Sequence, residues 1–241
     1  RSITIGGWLQ IPNASIAEIF ADSDFDWVVI DMEHGSIDIS QLPDLIRSIE
    51  LYQGICLVRV SKADFNLVNQ ILDAGANGII LANCNNENEL KKLIHNSSMP
   101  PKGKRGVGFS RANLFGKNIK QYQKDFQKPF FIAQIESKLG YKNLNKIIKV
   151  SGLDAILIGP YDLSASMNLL NEFESTKFKK IINSINSICK KNKISCGIHI
   201  VSNNIKDLES AINQGFNFVP YSTDGQILNN SIKNLNLKKY K

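Results

Sequence analysis

Cysteine and histidine are scarce in this chain, and long apolar runs are missing. The four cysteines, Cys56, Cys84, Cys189 and Cys196, form no C-x-x-C pair. A disulfide framework is therefore not expected, and a reducing compartment, the cytoplasm, fits better than a secreted one. The longest apolar stretches, such as residues 27–30 and 155–158, fall far short of the roughly 20 residues a membrane helix requires. No basic-then-apolar leader is read before Ser2, so no membrane partner is expected. A basic stripe interleaved with aromatics is also missing. The net charge of +7 comes largely from Lys/Asn/Ile-rich stretches such as residues 177–193 and from Lys238 and Lys239 near the end. These read as solvated faces, and no nucleic-acid partner is expected. Internal repeats and low-complexity tracts are lacking beyond that bias.

What is present is a rhythm. With 43% hydrophobic and 21% charged residues over 241 positions, the chain has the composition of a globular protein with a sizeable core. Short β-branched runs alternate with longer helical patterns throughout. Strands are predicted at residues 3–9, 27–31, 55–60, 78–82, 130–135, 155–158, 196–200 and 217–221. Helices are predicted at 15–21, 42–51, 66–72, 87–95, 139–150, 178–192, 205–213 and 226–235, the first with Ser15 as its capping residue and Glu18 three positions on. Ala74 to Ala76 and the Gln214–Gly215 pair stop helices just before strands. Eight such units imply a closed (β/α)8 barrel spanning residues 1–241 as one domain. Two segments interrupt the pattern: PPKGKRGVGFSRANLFG, residues 100–116, whose length suggests a lid or a disordered loop, and the polar stretch 168–176.

In such barrels the active site lies at the carboxyl ends of the strands, so polar residues there carry weight. Five ends are polar: Asp31-Met32-Glu33-His34-Gly35, Arg59 between Val58 and Val60, Gln134-Ile135-Glu136-Ser137, Gly159-Pro160-Tyr161-Asp162, and His199. Glu136 and Asp162 end neighbouring strands and can share a hard divalent cation, although either can instead be structural, Asp162 as a helix cap. Arg59 in an apolar strand needs either a buried partner, Asp31 or Glu33, or an anionic ligand for its planar fork. His34 is placed to move protons. His199 reads as structural or supporting, and His95, beside Lys91 and Lys92, as solvated.

In order, GGWLQIPNASIAEIFADSDFDWVVIDMEHG, LVRV, ILDAGANGII, RGVGFSRA, FIAQIES, GLDAILIGPYDLSASM and CGIHIV resemble the HpcH/HpaI aldolase family of metal-dependent pyruvate aldolases over essentially the whole chain. The resemblance implies a phosphoenolpyruvate/pyruvate-type barrel and a divalent cofactor (Mg2+, Mn2+ or Co2+) held by Glu136 and Asp162. It further implies His34 as general acid/base, Asp73 as the carboxylate raising its basicity, and Arg59 holding the oxo acid and stabilising its enolate. Gln134 and the Tyr161 backbone, with Asp162, would contact substrate. The implied reaction cleaves or forms a 4-hydroxy-2-oxo acid from pyruvate and an aldehyde, in a homo-oligomer such as a hexamer or trimer of dimers. Ala82, where many relatives carry proline, Met167-Asn168, where a glycine often follows, and the RGVGFSRANLFG loop depart from the pattern and leave the aldehyde open. The alternatives are a lyase of malyl- or citryl-type substrates, a Schiff-base aldolase using Lys62 or Lys138, and a non-catalytic barrel.

Overall fold

The computed structural model describes residues 2–125 and 128–240. Its elements run β1 (Thr4–Leu9), α1 (Ala14–Ala21), β2 (Trp27–Asp31), α2 (Leu42–Glu50), β3 (Ile55–Val60), α3 (Phe65–Asp73), β4 (Gly78–Leu81), α4 (Glu87–Ser97), α5 (Ile119–Asp125), β5 (Phe130–Ile135), α6 (Lys138–Ile147), β6 (Ala155–Ile158), α7 (Pro160–Ser166), α8 (Thr176–Lys191), β7 (Ser195–Ile198), α9 (Ile205–Asn213), β8 (Phe218–Pro220) and α10 (Asp224–Asn234). Every pairing is parallel, in the order β7-β6-β5-β4-β3-β2-β1-β8. A single bridge, Ile200 to Tyr221, joins the β7 and β8 sides. The result is a (β/α)8 barrel, nearly closed at that seam. Gly197 permits the approach there, because a Cβ on it would fall 1.8 Å from the Phe218 carbonyl oxygen.

Side-chain alternation sorts the strands into an inner and an outer layer. Trp8, Trp27, Val29, Leu57, Ile80, Ile132, Ala155 and Leu157 cluster together as the barrel filling. Their neighbours, such as Val28, Ile30, Val58, Ile79 and Ile156, pack outward into a second cluster shared with the helices. Continuing the inner row towards the carboxyl ends gives Asp31, Arg59, Gln134 and His199. The barrel therefore turns from apolar to polar at its mouth.

A repeated device closes the other end. The residue just before β2, β4, β6 and β8, respectively Asp26, Asn77, Asp154 and Asn217, accepts on its side chain the N–H of Ile5, Cys56, Phe131 and Cys196 in the preceding odd strand, at 2.7 to 3.1 Å. Its own backbone N–H returns to the same residue's carbonyl at 2.8 to 3.0 Å. Four two-strand units thus share one bridging geometry.

Three expectations change. The α1 cap is Asn13, whose Oδ1 accepts from Ser15 and Ile16, and not Ser15. Asp162 sits in the first turn of α7, whose N-cap is Gly159. The 100–116 segment is no lid over the barrel mouth, because a connection from a helix into a strand lies at the amino-terminal end. There it is pinned: the Arg105 Nη2 to Asp73 Oδ1 contact is 2.6 Å, and Arg111 pairs with Glu50 at the end of α2 and donates to the Ala74 carbonyl.

Candidate active site

The barrel mouth gathers Asp31, Glu33, Glu136 and Asp162 around a single guanidinium, that of Arg59. The chain is basic as a whole, yet its mouth is acidic.

Arg59, 5% exposed, is gripped from β2. Its Nε donates to Asp31 Oδ1 at 2.9 Å and its Nη2 to Oδ2 at 2.6 Å. The indole N–H of Trp8 and the amide of Gln10 also donate to Asp31 Oδ2, at 3.1 and 3.0 Å. Burial alone would raise the Asp31 carboxyl, but the hydrogen bonds and charge of Arg59 outweigh it and hold the group well below the usual range. Burial works against the charged form of Arg59 too, and Asp31 overrides it, raising the guanidinium's pKa. The Arg59 plane lies 4.9 Å from the Trp8 ring centroid. Its Nη1 is 3.0 Å from Glu33 Oε2, off hydrogen-bonding geometry, since that oxygen is buried without a hydrogen-bond partner. The buried-partner reading of Arg59 holds, and that partner, Asp31, fixes the orientation of the fork.

Glu136, 7% exposed, follows β5. Its Oε1 accepts the Asn83 backbone N–H at 2.5 Å and its Oε2 the Gln134 amide at 2.5 Å. Gly159 at the end of β6 makes room, as a Cβ there would meet Glu136 Oε2 at 2.6 Å. Burial, and then the negative charge of Glu33 and Asp162, push the Glu136 carboxyl up to about 7. Glu33 is likewise raised, chiefly by burial. Gln134 Oε1 is buried and unpartnered. Among the described residues no cluster of three or more His, Cys, Asp or Glu has metal-holding geometry.

His34 is exposed, in the turn after β2, with its backbone N–H 3.3 Å from Asp31 Oδ1. Tyr161 and Asp162 are exposed on α7, and the Tyr161 ring meets Phe173 edge-on at 4.9 Å. His199 is buried, stacked on Trp8 with centroids 4.3 Å apart. Burial lowers its pKa to about 4. Lys62 and Lys138 are exposed. Asp73 does not join the others. It ends α3, five positions before β4 begins, and so sits at the amino-terminal end of the barrel, away from the mouth. Its carboxylate pairs with Arg105. Asp31 is the residue that sequence reasoning undervalued. Its signal was its place as the last inward position of β2, level with Arg59 in the adjacent strand.

The family model for HpcH/HpaI aldolase/citrate lyase matches residues 4–231. The chain belongs to this family. It is similar to hydroxypyruvate/pyruvate aldolase of Roseobacter denitrificans, 29% identical over 97% of this chain and 91% of that protein. It is also similar to 2-keto-3-deoxy-L-rhamnonate aldolase of Shigella dysenteriae, 33% identical over 75% of this chain and 68% of that protein. A crystal structure of an HpcH/HpaI aldolase/citrate lyase family protein from Burkholderia cenocepacia shares the fold, with TM-score 0.92 and 24% identity over 100% of this chain and 95% of that one. This aldolase is therefore a carbon–carbon lyase, and the family's metal dependence implies a divalent cation. The mouth fits one: carboxylates that repel one another converge there beside an unpartnered amide oxygen, the arrangement a cation relieves.

Proposed function

We propose that this aldolase cleaves or forms 4-hydroxy-2-oxo acids through the enolate of pyruvate, with an aldehyde as second partner. The observation that carries the reading is the preset Arg59 fork beside the Glu136 and Asp162 carboxylates.

Glu136 and Asp162 would hold the cation, Mg2+, Mn2+ or Co2+, and two protein ligands leave positions for water and substrate. When bound, it supplies Lewis-acid charge worth several kcal/mol towards an enolate. Arg59, always protonated and oriented by Asp31, adds fixed positive charge where the carboxylate and 2-oxo oxygens lie. Gln134 would offer its buried amide to the substrate, and the Tyr161 backbone, in the amino-terminal turn of α7, would contact it. His34, exposed at the same rim, would take the proton of the 4-hydroxyl as the C3–C4 bond breaks and return it in condensation.

Asp73 can tune His34 only from another copy of the chain, because in its own barrel the two lie at opposite ends. This supports a homo-oligomer, for which a hexamer or trimer of dimers is our reading. So do Leu228 and Ile232 on α10 and Leu235 just after it, which are 47, 63 and 57% exposed. The cytoplasm is our assignment for its location: all four cysteines are free and buried, and among the described residues no helix is long and apolar enough to cross a membrane.

The test is pyruvate release from a panel of 4-hydroxy-2-oxo acids with added Mn2+. Turnover lost in excess chelator and restored by metal supports the reading. Full activity in chelator, or a pyruvate adduct trapped by borohydride, transfers the chemistry to a Schiff-base lysine.

A further inference from the structure

His199 takes no part in the chemistry above, yet it is not a closed structural residue. Its Nε2 lies 3.3 Å from the Ser222 carbonyl oxygen. A carbonyl only accepts, so Nε2 carries the hydrogen and donates it, and in the neutral ring the lone pair resides on Nδ1. Ser222 is held for this contact. It has φ 58, a left-handed conformation rare for serine, and is fixed by its N–H to the Ile200 carbonyl at 2.6 Å and by its hydroxyl to Asn203. Burial keeps the ring neutral around pH 7. Among the described residues Nδ1 has no hydrogen-bond partner, and it is not sealed from solvent either.

Its place makes that free acceptor useful. His199 and Arg59 both lie against the Trp8 ring, 4.3 and 4.9 Å from its centroid. Its backbone N–H bonds to the Ile158 carbonyl at 3.1 Å, directly before Gly159 and the turn carrying Asp162. Its side chain continues the inward row of the barrel that also carries Asp31, Arg59 and Gln134 to the mouth.

We propose that His199 selects the aldehyde: its Nδ1 accepts a hydrogen bond from a hydroxyl on the aldehyde-derived part of the substrate, so that hydroxylated aldehydes are preferred to their deoxy analogues. The inference rests on the aldolase reading. A neutral imidazole locked in one tautomer discriminates by polarity, since an analogue without the hydroxyl leaves the acceptor unpaired.

The experiment measures kcat/KM for condensation of pyruvate with glyceraldehyde and with propanal, using Mn2+-loaded wild type, His199→Phe and His199→Asn. Phe keeps the stack on Trp8 without an acceptor, and Asn places an oxygen near the Nδ1 position. Expected are a wild-type glyceraldehyde-to-propanal ratio well above one, a roughly 10-fold fall in that ratio for His199→Phe, and a ratio near wild type for His199→Asn. A wild-type ratio near one, or an unchanged ratio in His199→Phe, overturns the proposal. If His199→Phe fails to fold, a ratio near one in His199→Asn overturns it and a retained ratio supports it. Failure of wild type to exchange pyruvate methyl protons in D2O, measured without aldehyde, would instead mark failure of the underlying aldolase reading.

Discussion

At the amino-terminal end of the barrel polar side chains tie strands together: Asp26, Asn77, Asp154 and Asn217 each bridge a pair of strands, and Lys128 sits 2.6 Å from Asp154. At the carboxyl end, Glu136 is buried among like charges, and Gln134 Oε1 and Glu33 Oε2 have no hydrogen-bond partner. The same residue types stabilise one end and leave the other short of a ligand. Trp27 Nε1 and Ser97 Oγ on the amino-terminal side are unpartnered too, so what marks the carboxyl end is charge: carboxylates buried against one another are costly and persist where something else completes them.

The contrast can be broken at its strongest point first. Arg59→Lys should lower kcat/KM by about 1,000-fold while the fold survives, because a point charge cannot replace the bidentate fork. Steady-state kinetics with circular dichroism decide it, and near-wild-type turnover would remove Arg59 from its role. Next, His34→Ala and Asp73→Asn should each lose about 100-fold, and subunits of the two variants refolded together should regain activity as sites pair an intact His34 with an intact Asp73. Equal losses with no recovery on mixing would mean that Asp73 serves only Arg105.

A smaller effect concerns His199. Its folded pKa, about 4, lies below the 6.5 of the free side chain, so the unfolded chain binds a proton in that window and the folded one does not. The contribution is complete above pH 6.5 and is lost as pH falls towards 4, reaching about 2 kcal/mol at pH 5. Wild type should therefore lose more thermal stability between pH 7.5 and 5 than His199→Phe, and parallel curves would refute the shift. Smallest is Asn77→Ala, which leaves the Cys56 N–H without its side-chain acceptor. It should cost about 1 kcal/mol in denaturant melts and change kcat/KM by less than about 2-fold. A large kinetic effect there would blur the division between the two ends.

Much of this was legible in the sequence. The strands at 27–31, 55–60, 130–135 and 155–158 fall where expected, because apolar residues on both faces of a barrel strand make short, sharply bounded runs. The cap of α1 was not resolved, since Asn13 and Ser15 are both good caps and only the chain's direction on entering the helix decides between them. The helical turn at Pro160 was read as a strand end because proline and glycine mark either. The faces of residues 100–116 and of Asp73 were missed for a different reason. Both lie between a helix and the next strand, which in a βα repeat fixes them at the amino-terminal end, and counting elements alone would have placed them. The pairing of Arg59 with Asp31 stood open in the sequence, and inward alternation along β2 and β3 decides it.

Exchange of the pyruvate methyl protons in D2O, followed by NMR with Mg2+ and then with excess chelator, tests the mouth of the barrel most directly. Exchange that requires the cation, and that is lost in Glu136→Gln, is the outcome expected of a carboxylate pair holding a metal beside Arg59. Exchange unaffected by chelator, or none with any of the three cations, would contradict it.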